Sequence, residues 1–146
     1  MESDAKIIEW RAEFKRLNAE FPDRPKIVYL TSCYRSGRGE HGVDLYIADA
    51  SELARKIWKL GLGVICPVKN TAFFGGIDIP DMCWLKGDFE MIRRCDALVM
   101  HPNWETSSGA RMELEVAQEQ GLPIFYLMSQ WRKLAAWAKK ETTCLV

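Results

Sequence analysis

One acidic residue stands where the sequence calls for a core residue, in the stretch HPNWETSSGARMELEVAQEQG at residues 101–121. If a helix begins near Ser108 and advances about 100° per residue, Glu113 falls in the middle of its apolar arc, whereas Glu115 and Glu119 fall outside it. The arc consists of Ala110, Met112, Leu114, Val116 and Ala117. A carboxylate at the centre of a core-facing stripe is costly unless a partner or a reaction uses it. Glu113 is therefore the first candidate for chemistry.

A second inward carboxylate is predicted in DMCWLKGDFEMIRRC, residues 81–95, where Asp88 falls inside the apolar arc of a helix. That arc contains Trp84, Leu85, Met91, Ile92 and Cys95, and the opposite face carries Lys86, Glu90, Arg93 and Arg94. Two inward carboxylates on helices that flank one strand favour acid–base or nucleophilic chemistry. In the alternative interpretation, both cap backbone amides or pair with Arg35 or Arg38.

A polar loop, TSCYRSGRGEHG at residues 31–42, directly follows the first predicted strand. Its hydroxyls, glycines and two arginines suit a phosphate, although a solvated loop has the same composition. The spacing matches neither a Walker loop nor Gly-x-Gly-x-x-Gly. The segment SSGA, residues 107–110, adds an N-cap hydroxyl and free amides at a helix start, which is a second place for an anion.

Other candidate groups have weaker patterns. His41 and His101 lack a nucleophile partner, and His101 is either a ligand contact or a strand terminus. Ser107 and Ser108 do not lie in a Gly-x-Ser-x-Gly elbow, which argues against a serine hydrolase. Three aromatic residues suit stacking on a planar base or, more commonly, core packing: Phe73, Phe74 and Trp84.

Alternating strands and helices position these groups. The hydrophobic periodicity predicts strands over 26–32, 63–68, 96–102 and 123–127, helices over 44–60, 81–95, 108–120 and 129–140, and a loop over 70–80. An amphipathic helix with Ile7, Ile8, Phe14, Leu17 and Phe21 precedes them and ends at Pro22, and its expected role is packing on the domain or on a second subunit. We therefore expect an N-terminal helix at 1–22 and an α/β domain at 23–146. The domain is a Rossmann- or flavodoxin-like parallel sheet of four to five strands with helices on both faces, and ligands bind at the carboxyl ends of such strands.

Composition narrows the class of protein. The chain has 146 residues, 48% of them hydrophobic, which suits one domain with a core. The charges of its 20 basic and 20 acidic residues cancel, which favours a small ligand over nucleic acid as the partner. Five cysteines without a Cys-x-x-Cys predict reduced thiols, with no disulfide framework and no metal site. No basic leader or bilayer-length apolar run is present, so we expect a cytoplasmic protein without membrane contact.

Three segments together resemble the nucleoside 2-deoxyribosyltransferase superfamily, and within it the 2′-deoxynucleoside 5′-phosphate N-hydrolases and related phage-type proteins. These segments are YLTSCYRSGR (29–38), GDFEMIRRCDALV (87–99) and SSGARMELEVA (107–117), within a match over residues 26–127. The resemblance implies that Glu113 is the nucleophile, that Tyr29 holds it by a hydrogen bond, and that Asp88 contacts the base and protonates it as it leaves. It also implies a 5′-phosphate site and a base pocket.

The residues that the resemblance and the loop composition assign to the 5′-phosphate are Ser32, Arg35, Gly37, Arg38, Ser107 and Gly109. The implied reaction hydrolyses the N-glycosidic bond of a (deoxy)nucleoside 5′-monophosphate through a covalent glycosyl-enzyme, without a cofactor, in a homodimer or higher homo-oligomer. Two alternatives stay open: a transferase that moves deoxyribose between bases, and a non-catalytic nucleotide-binding module.

Overall fold

The computed structural model describes residues 2–20, 24–31, 39–70 and 79–141. Its elements are α1 (Glu2–Glu20), β1 (Ile27–Leu30), α2 (Gly39–Trp58), β2 (Gly63–Ile65), α3 (Pro67–Asn70), α4 (Asp81–Arg93), β3 (Ala97–Met100), α5 (Ser108–Glu119), β4 (Ile124–Tyr126) and α6 (Leu127–Glu141). A single 3₁₀ turn, Trp104–Thr106, precedes α5.

The four strands form one parallel sheet in the order β2-β1-β3-β4. Val28 of β1 pairs with Val64 of β2 on one side and with Ala97 of β3 on the other. Because the chain passes from β1 outward to β2 and then returns to β3, the order reverses between β1 and β3. Ligands of open α/β sheets bind at the carboxyl ends of the strands at such a reversal. The predicted four-stranded parallel sheet is confirmed.

Helices cover both faces of the sheet, and the alternation of side chains along β1 separates two cores. Val28 and Leu30 face a core formed with α2 and α6. Tyr29, between them in sequence, faces the opposite core, which α4 and α5 complete with Ile92 and Leu114. The only phenol on β1 therefore lies on the same face as the two helices that carry Asp88 and Glu113.

Hydrogen bonds fix the two central strands at both ends. At the amino edge, the Ile27 N–H donates to Asp96 Oδ2 at 2.8 Å, and the Asp96 N–H donates to the Ile27 carbonyl at 2.7 Å. At the carboxyl edge, the Thr31 N–H donates to the Val99 carbonyl, and Thr31 Oγ1 accepts from the N–H of His101 at 3.1 Å. Buried hydrogen bonds therefore hold the ends of β1 and β3 together at the edge where a ligand is expected.

Three predicted elements differ from the observed ones. The predicted strand 63–68 is wrong beyond Ile65, because Pro67 has no N–H for the ladder and instead begins the short helix α3. Helix α2 begins at Gly39, before the predicted 44, and the chain turns at Gly61 with φ +85°. Helix α6 begins directly after β4 and is interrupted at Gln130, whose Oε1 accepts the Tyr126 N–H at 3.0 Å. Most of the predicted loop 70–80 lies outside the described residues.

The predicted N-terminal helix is present as α1. Every residue from Ser3 to Glu20 is exposed, including all the large apolar side chains of the helix. Burial of its apolar face against the α/β domain, one role that the sequence suggests for this helix, is therefore not observed.

Candidate active site

Glu113 lies on the buried face of α5. Ser107 caps this helix, since its Oγ accepts the Ala110 N–H at 3.2 Å, and this cap sets the first turn. The residues buried on α5 are Ala110, Glu113, Leu114 and Ala117, and Glu113 is only 5% exposed. The predicted inward carboxylate is confirmed. Met112, expected at one edge of the apolar arc, is exposed, because the buried face of α5 is narrower than that arc.

Asp88 occupies the matching position on α4. Its side chain is half-buried, and Ile92, one turn later, is fully buried. On the opposite face, Glu90 and Arg93 are exposed and form an ion pair at 2.7 Å. The periodicity therefore assigned this helix face correctly. Neither Asp88 nor Glu113 forms an ion pair with a described residue, and the partners named in the pairing alternative, Arg35 and Arg38, lie outside the described residues.

Tyr29 is completely buried where α4 and α5 pack on β1. Among the described residues, two buried side-chain oxygens lack a hydrogen-bond partner, namely the Tyr29 hydroxyl and Glu113 Oε2. A buried polar atom without a partner costs about 1–3 kcal/mol. Two such atoms in one place are typical of a functional site rather than of a core.

The two oxygens influence each other although they do not complete a hydrogen bond. The Tyr29 hydroxyl is near enough to lower the pKa of Glu113, and the Glu113 charge raises the pKa of Tyr29 after burial has already raised it far above its usual range. Catalytic hydrogen bonds of ligand-free enzymes are often long and tighten when substrate binds. The pair is thus placed for Tyr29 to donate to the Glu113 carboxylate.

Burial sets the protonation of the two carboxyl groups. It raises the pKa of Glu113 to about 8, against the opposing effect of Tyr29, and the negative charge of Asp88 raises it further. Burial also raises the pKa of Asp88, to about 6. Two nearby acids with separated pKa values can serve as acid and nucleophile in one reaction.

A buried thiol that the sequence analysis did not single out lies at the carboxyl edge of the sheet. Cys66 directly follows β2, and burial raises its pKa to about 11 although the Lys69 and Val68 N–H groups of α3 act in the opposite direction. The Glu113 charge also raises the pKa of Cys66, but to a smaller extent. The Cys66 side chain packs in the core formed with α2, whereas Tyr29 faces the opposite core, so Cys66 is not assigned a role in the site.

The His101 ring forms hydrogen bonds through both of its nitrogens. Its Nδ1 accepts the Asn103 N–H at 3.0 Å, so the proton resides on Nε2, which donates to Asp49 Oδ2 at 2.6 Å. Both ring nitrogens are therefore engaged, and the ring links the end of β3 to α2. The structure favours the strand-terminus interpretation over a ligand contact.

The remaining predicted site residues are only partly within the described ranges. Ser32, Arg35, Gly37, Arg38, Phe73 and Phe74 lie outside the described residues. The predicted phosphate loop, 31–42, begins at Thr31, which follows β1, and its last residues, from Gly39 onward, belong to α2. Gly109 lies in the first turn of α5, next to the capping Ser107. Trp84 is half-buried on α4.

An aromatic pair that the sequence analysis missed lies at the same edge. The rings of Trp104 and Tyr126 are 5.7 Å apart and tilted by 51°. Trp104 follows strand β3 and Tyr126 ends strand β4, both at the carboxyl edge of the sheet.

No group of three or more His, Cys, Asp or Glu side chains within the described ranges is arranged to hold a metal ion. In the same part of the chain, none of the helices has the length and apolar character needed to cross a membrane.

Residues 49–126 match the model of a family described as a domain of unknown function, DUF4406. The chain belongs to this family. The matched region contains Asp88 and Glu113 together with β2, β3 and β4, whereas Tyr29 and the predicted phosphate loop precede it. No curated protein matches the chain significantly.

Two solved structures show what the fold of this DUF4406 protein is similar to. A 2-deoxyribosyltransferase from the psychrotolerant bacterium Bacillus psychrosaccharolyticus matches with a TM-score of 0.52 and 19% identity, over 68% of this chain and 70% of that one. A 2-deoxyribosyltransferase from Leishmania mexicana matches with a TM-score of 0.46 and 18% identity, over 70% of this chain and 63% of that one. The first match confirms the predicted deoxyribosyltransferase-like fold.

Proposed function

We propose that this protein hydrolyses the N-glycosidic bond of a (deoxy)nucleoside 5′-monophosphate and releases the free base and the sugar 5-phosphate. The observation that carries the proposal is the buried Glu113 carboxyl group, which lacks a partner for Oε2 and lies beside Tyr29 and Asp88. A buried carboxylate with an unused oxygen can approach an electrophilic carbon, and the anomeric carbon of a nucleoside is such a centre. The deoxyribosyltransferase-like fold supports the same class of chemistry.

In the first step, a Glu113 oxygen attacks the anomeric carbon as the sugar develops oxocarbenium character. The bond to the base breaks, the base leaves with the electron pair, and Asp88 supplies the proton that the base needs. In the second step, water attacks the glycosyl ester, gives its proton to Asp88 and releases Glu113. This sequence is the double displacement used by retaining glycosidases.

The pKa values of the two carboxyl groups define the working form of the pair. With apparent pKa values of about 6 for Asp88 and about 8 for Glu113, a single proton resides on the pair between these limits. Because Glu113 has the higher pKa, this proton resides mainly on Glu113 in the free protein, and the reactive arrangement, with the charge on Glu113, forms when the proton moves to Asp88. A hydrogen bond from Tyr29 favours that arrangement, because it stabilises the Glu113 carboxylate.

Substrate binding is proposed on the residues that the sequence assigned to it. Arg35 and Arg38, with Ser32 and Gly37, suit a 5′-phosphate, because guanidinium groups bind phosphate oxygens in pairs. Ser107 and Gly109 at the start of α5 extend this site, since backbone N–H groups of a first helical turn attract anions. Phe73, Phe74 and Trp84 are the proposed base pocket. The proposed assembly is a homodimer or a higher homo-oligomer.

The fold likeness to a 2-deoxyribosyltransferase favours a second candidate, transfer of deoxyribose from one base to another. The same glycosyl-enzyme then reacts with an acceptor base instead of water. A nucleoside transferase does not need a phosphate-binding arginine, so Arg35→Ala abolishes the hydrolase and spares the transferase.

The test is chromatography of the protein incubated with a panel of nucleoside 5′-monophosphates and the matching nucleosides. We expect base release from a monophosphate, loss of this activity in Glu113→Gln, and full activity in Glu115→Gln. Glu115 is a matched control, because it is an exposed glutamate on the same helix. If no base appears even with an acceptor base present, while a monophosphate still raises Tm, the protein is a nucleotide-binding module.

A further inference from the structure

Helix α1 carries a row of apolar side chains that faces solvent. Ile7, Trp10, Phe14 and Leu17 follow one another at spacings of three, four and three residues, which places them on one stripe of a helix. All four are exposed, with Trp10 and Phe14 at 68% and 65%. We call these four residues the α1 seam. A shallow groove lies along it, lined by Ile7, Trp10 and Phe14 and edged by Arg11 and Lys15.

The seam is large enough to be a contact surface. An aromatic side chain offers about 150–250 Å² of surface, and about two thirds of Trp10 and of Phe14 is exposed, so with the smaller exposed parts of Ile7 and Leu17 the seam presents roughly 400 Å² of apolar area. This area lies within the range of the largest apolar patch on a soluble monomer, and such patches are often functional.

The charges on α1 indicate which partner covers the seam. The helix contains five acidic and four basic residues: Glu2, Asp4, Glu9, Glu13 and Glu20, and Lys6, Arg11, Lys15 and Arg16. An interfacial membrane helix is rich in basic residues on its polar face, which this helix is not. A near-neutral helix with both signs of charge is instead compatible with a second copy of itself.

We propose that the α1 seams of two copies of this chain pack against each other in antiparallel orientation. In that orientation Ile7 meets Leu17 of the second copy and Trp10 meets Phe14, so that every seam residue is covered. Two copies bury roughly 800 Å² of apolar seam surface, which is in the range of weak, transient interfaces, so we expect a reversible dimer.

Charged residues beside the seam select the antiparallel orientation. In a parallel pair, the residue that precedes a seam residue on one helix faces the residue five positions after it in sequence on the other helix. Lys6 of one copy therefore lies next to Arg11 of the other copy. In the antiparallel pair, Lys6 lies beside Glu20 of the second copy, and this contact occurs twice, whereas the two Arg11 side chains meet each other once. Glu13 and Glu20 are each paired with Arg16 of their own helix, which moderates the meeting of the two Glu13 side chains.

The experiment is sedimentation equilibrium of the full chain from about 1 to 200 μM. We expect a reversible dimer, with association about 30-fold weaker in Phe14→Glu, as for an interface residue worth about 2 kcal/mol. Ile8→Glu is the matched control: Ile8 is equally exposed, at 66%, but lies on another side of the helix, so this variant dimerises like the wild type. A monomeric wild type at 200 μM, or equal association of Phe14→Glu and wild type, overturns the proposal.

A further variant tests the orientation. Lys6→Glu weakens an antiparallel dimer, because it places two acids together, and strengthens a parallel one by relieving the contact with Arg11. A stronger dimer therefore overturns the antiparallel arrangement, as does binding of a monomeric wild type to phosphatidylserine vesicles. This inference is independent of the proposed reaction, because none of the residues proposed for catalysis or substrate binding lies on α1. Phe14→Glu should release base like the wild type wherever the wild type does.

Discussion

Replacing Glu113 with Gln tests the burial of this carboxyl group through stability, without any substrate. The folded pKa of Glu113 is about 8, against an ordinary value of 4.5 in the unfolded chain. Between these two pH values the folded chain holds a proton that the unfolded chain has released. Rising pH therefore favours unfolding over this window, and the effect is complete above pH 8.

The magnitude follows from the pKa difference. Each pKa unit corresponds to about 1.4 kcal/mol, so ionisation of Glu113 lowers the free energy of unfolding by up to about 5 kcal/mol between pH 4.5 and pH 8. Gln has the shape of protonated Glu and does not titrate. The variant should therefore match the wild type near pH 4.5 and exceed it by several kcal/mol at pH 9.

Urea unfolding followed by tryptophan fluorescence at pH 4.5, 7 and 9 measures this difference. Other titrating groups affect both proteins alike and cancel in the comparison. Glu115→Gln, at an exposed position on the same helix, should show a pH-independent difference of less than about 0.5 kcal/mol. If the Glu113→Gln difference changes by less than about 1 kcal/mol between pH 4.5 and 9, Glu113 is solvated or paired, and the reasoning is refuted.

Three further predictions concern the neighbours of Glu113. In the wild type, kcat/KM should fall above about pH 8, where the Asp88–Glu113 pair loses its shared proton. Asp88→Asn should remove this alkaline limb of the pH profile, as measured by stopped-time base-release assays. An alkaline limb that persists in the variant contradicts the shared-proton pair. Tyr29→Phe should slow base release by about 10- to 100-fold and shift the alkaline limb to higher pH, because Tyr29 lowers the pKa of Glu113. It should change the urea midpoint little, because the hydroxyl it removes has no partner; a large loss of stability would show that the hydroxyl is bonded. Ser107→Ala should cost about 1 kcal/mol in urea unfolding through loss of the α5 cap, and an unchanged midpoint argues against that cap.

Much of the candidate site follows from local periodicity. A helix turns by a constant angle per residue, so the sequence alone determined that Glu113 and Asp88 share their helix faces with apolar residues. The same reasoning placed Glu115 and Glu90 in solvent, as the structure confirms. The alternation of apolar runs and helical patterns was also sufficient for the parallel sheet, since parallel strands need crossover helices.

Local pattern failed where an apolar run fits two conformations. The segment GVICPV has the apolar pattern of one strand, but the chain leaves the sheet after Ile65, because Pro67 has no N–H to donate to the neighbouring strand. Met112 was placed inside by its helical angle, although the width of the contact that α5 makes decides its exposure. That width depends on packing partners distant in sequence.

Only the tertiary structure decided which groups meet. Strand order brings β1 next to both β2 and β3, and the register places Tyr29 opposite Ile65 and Leu98. This juxtaposition brings Tyr29, Asp88 and Glu113 together from three separate segments and leaves the Tyr29 hydroxyl and Glu113 Oε2 without partners. Side-chain direction along one element is a local property of the backbone, whereas distances between elements are determined by the packing of the whole chain.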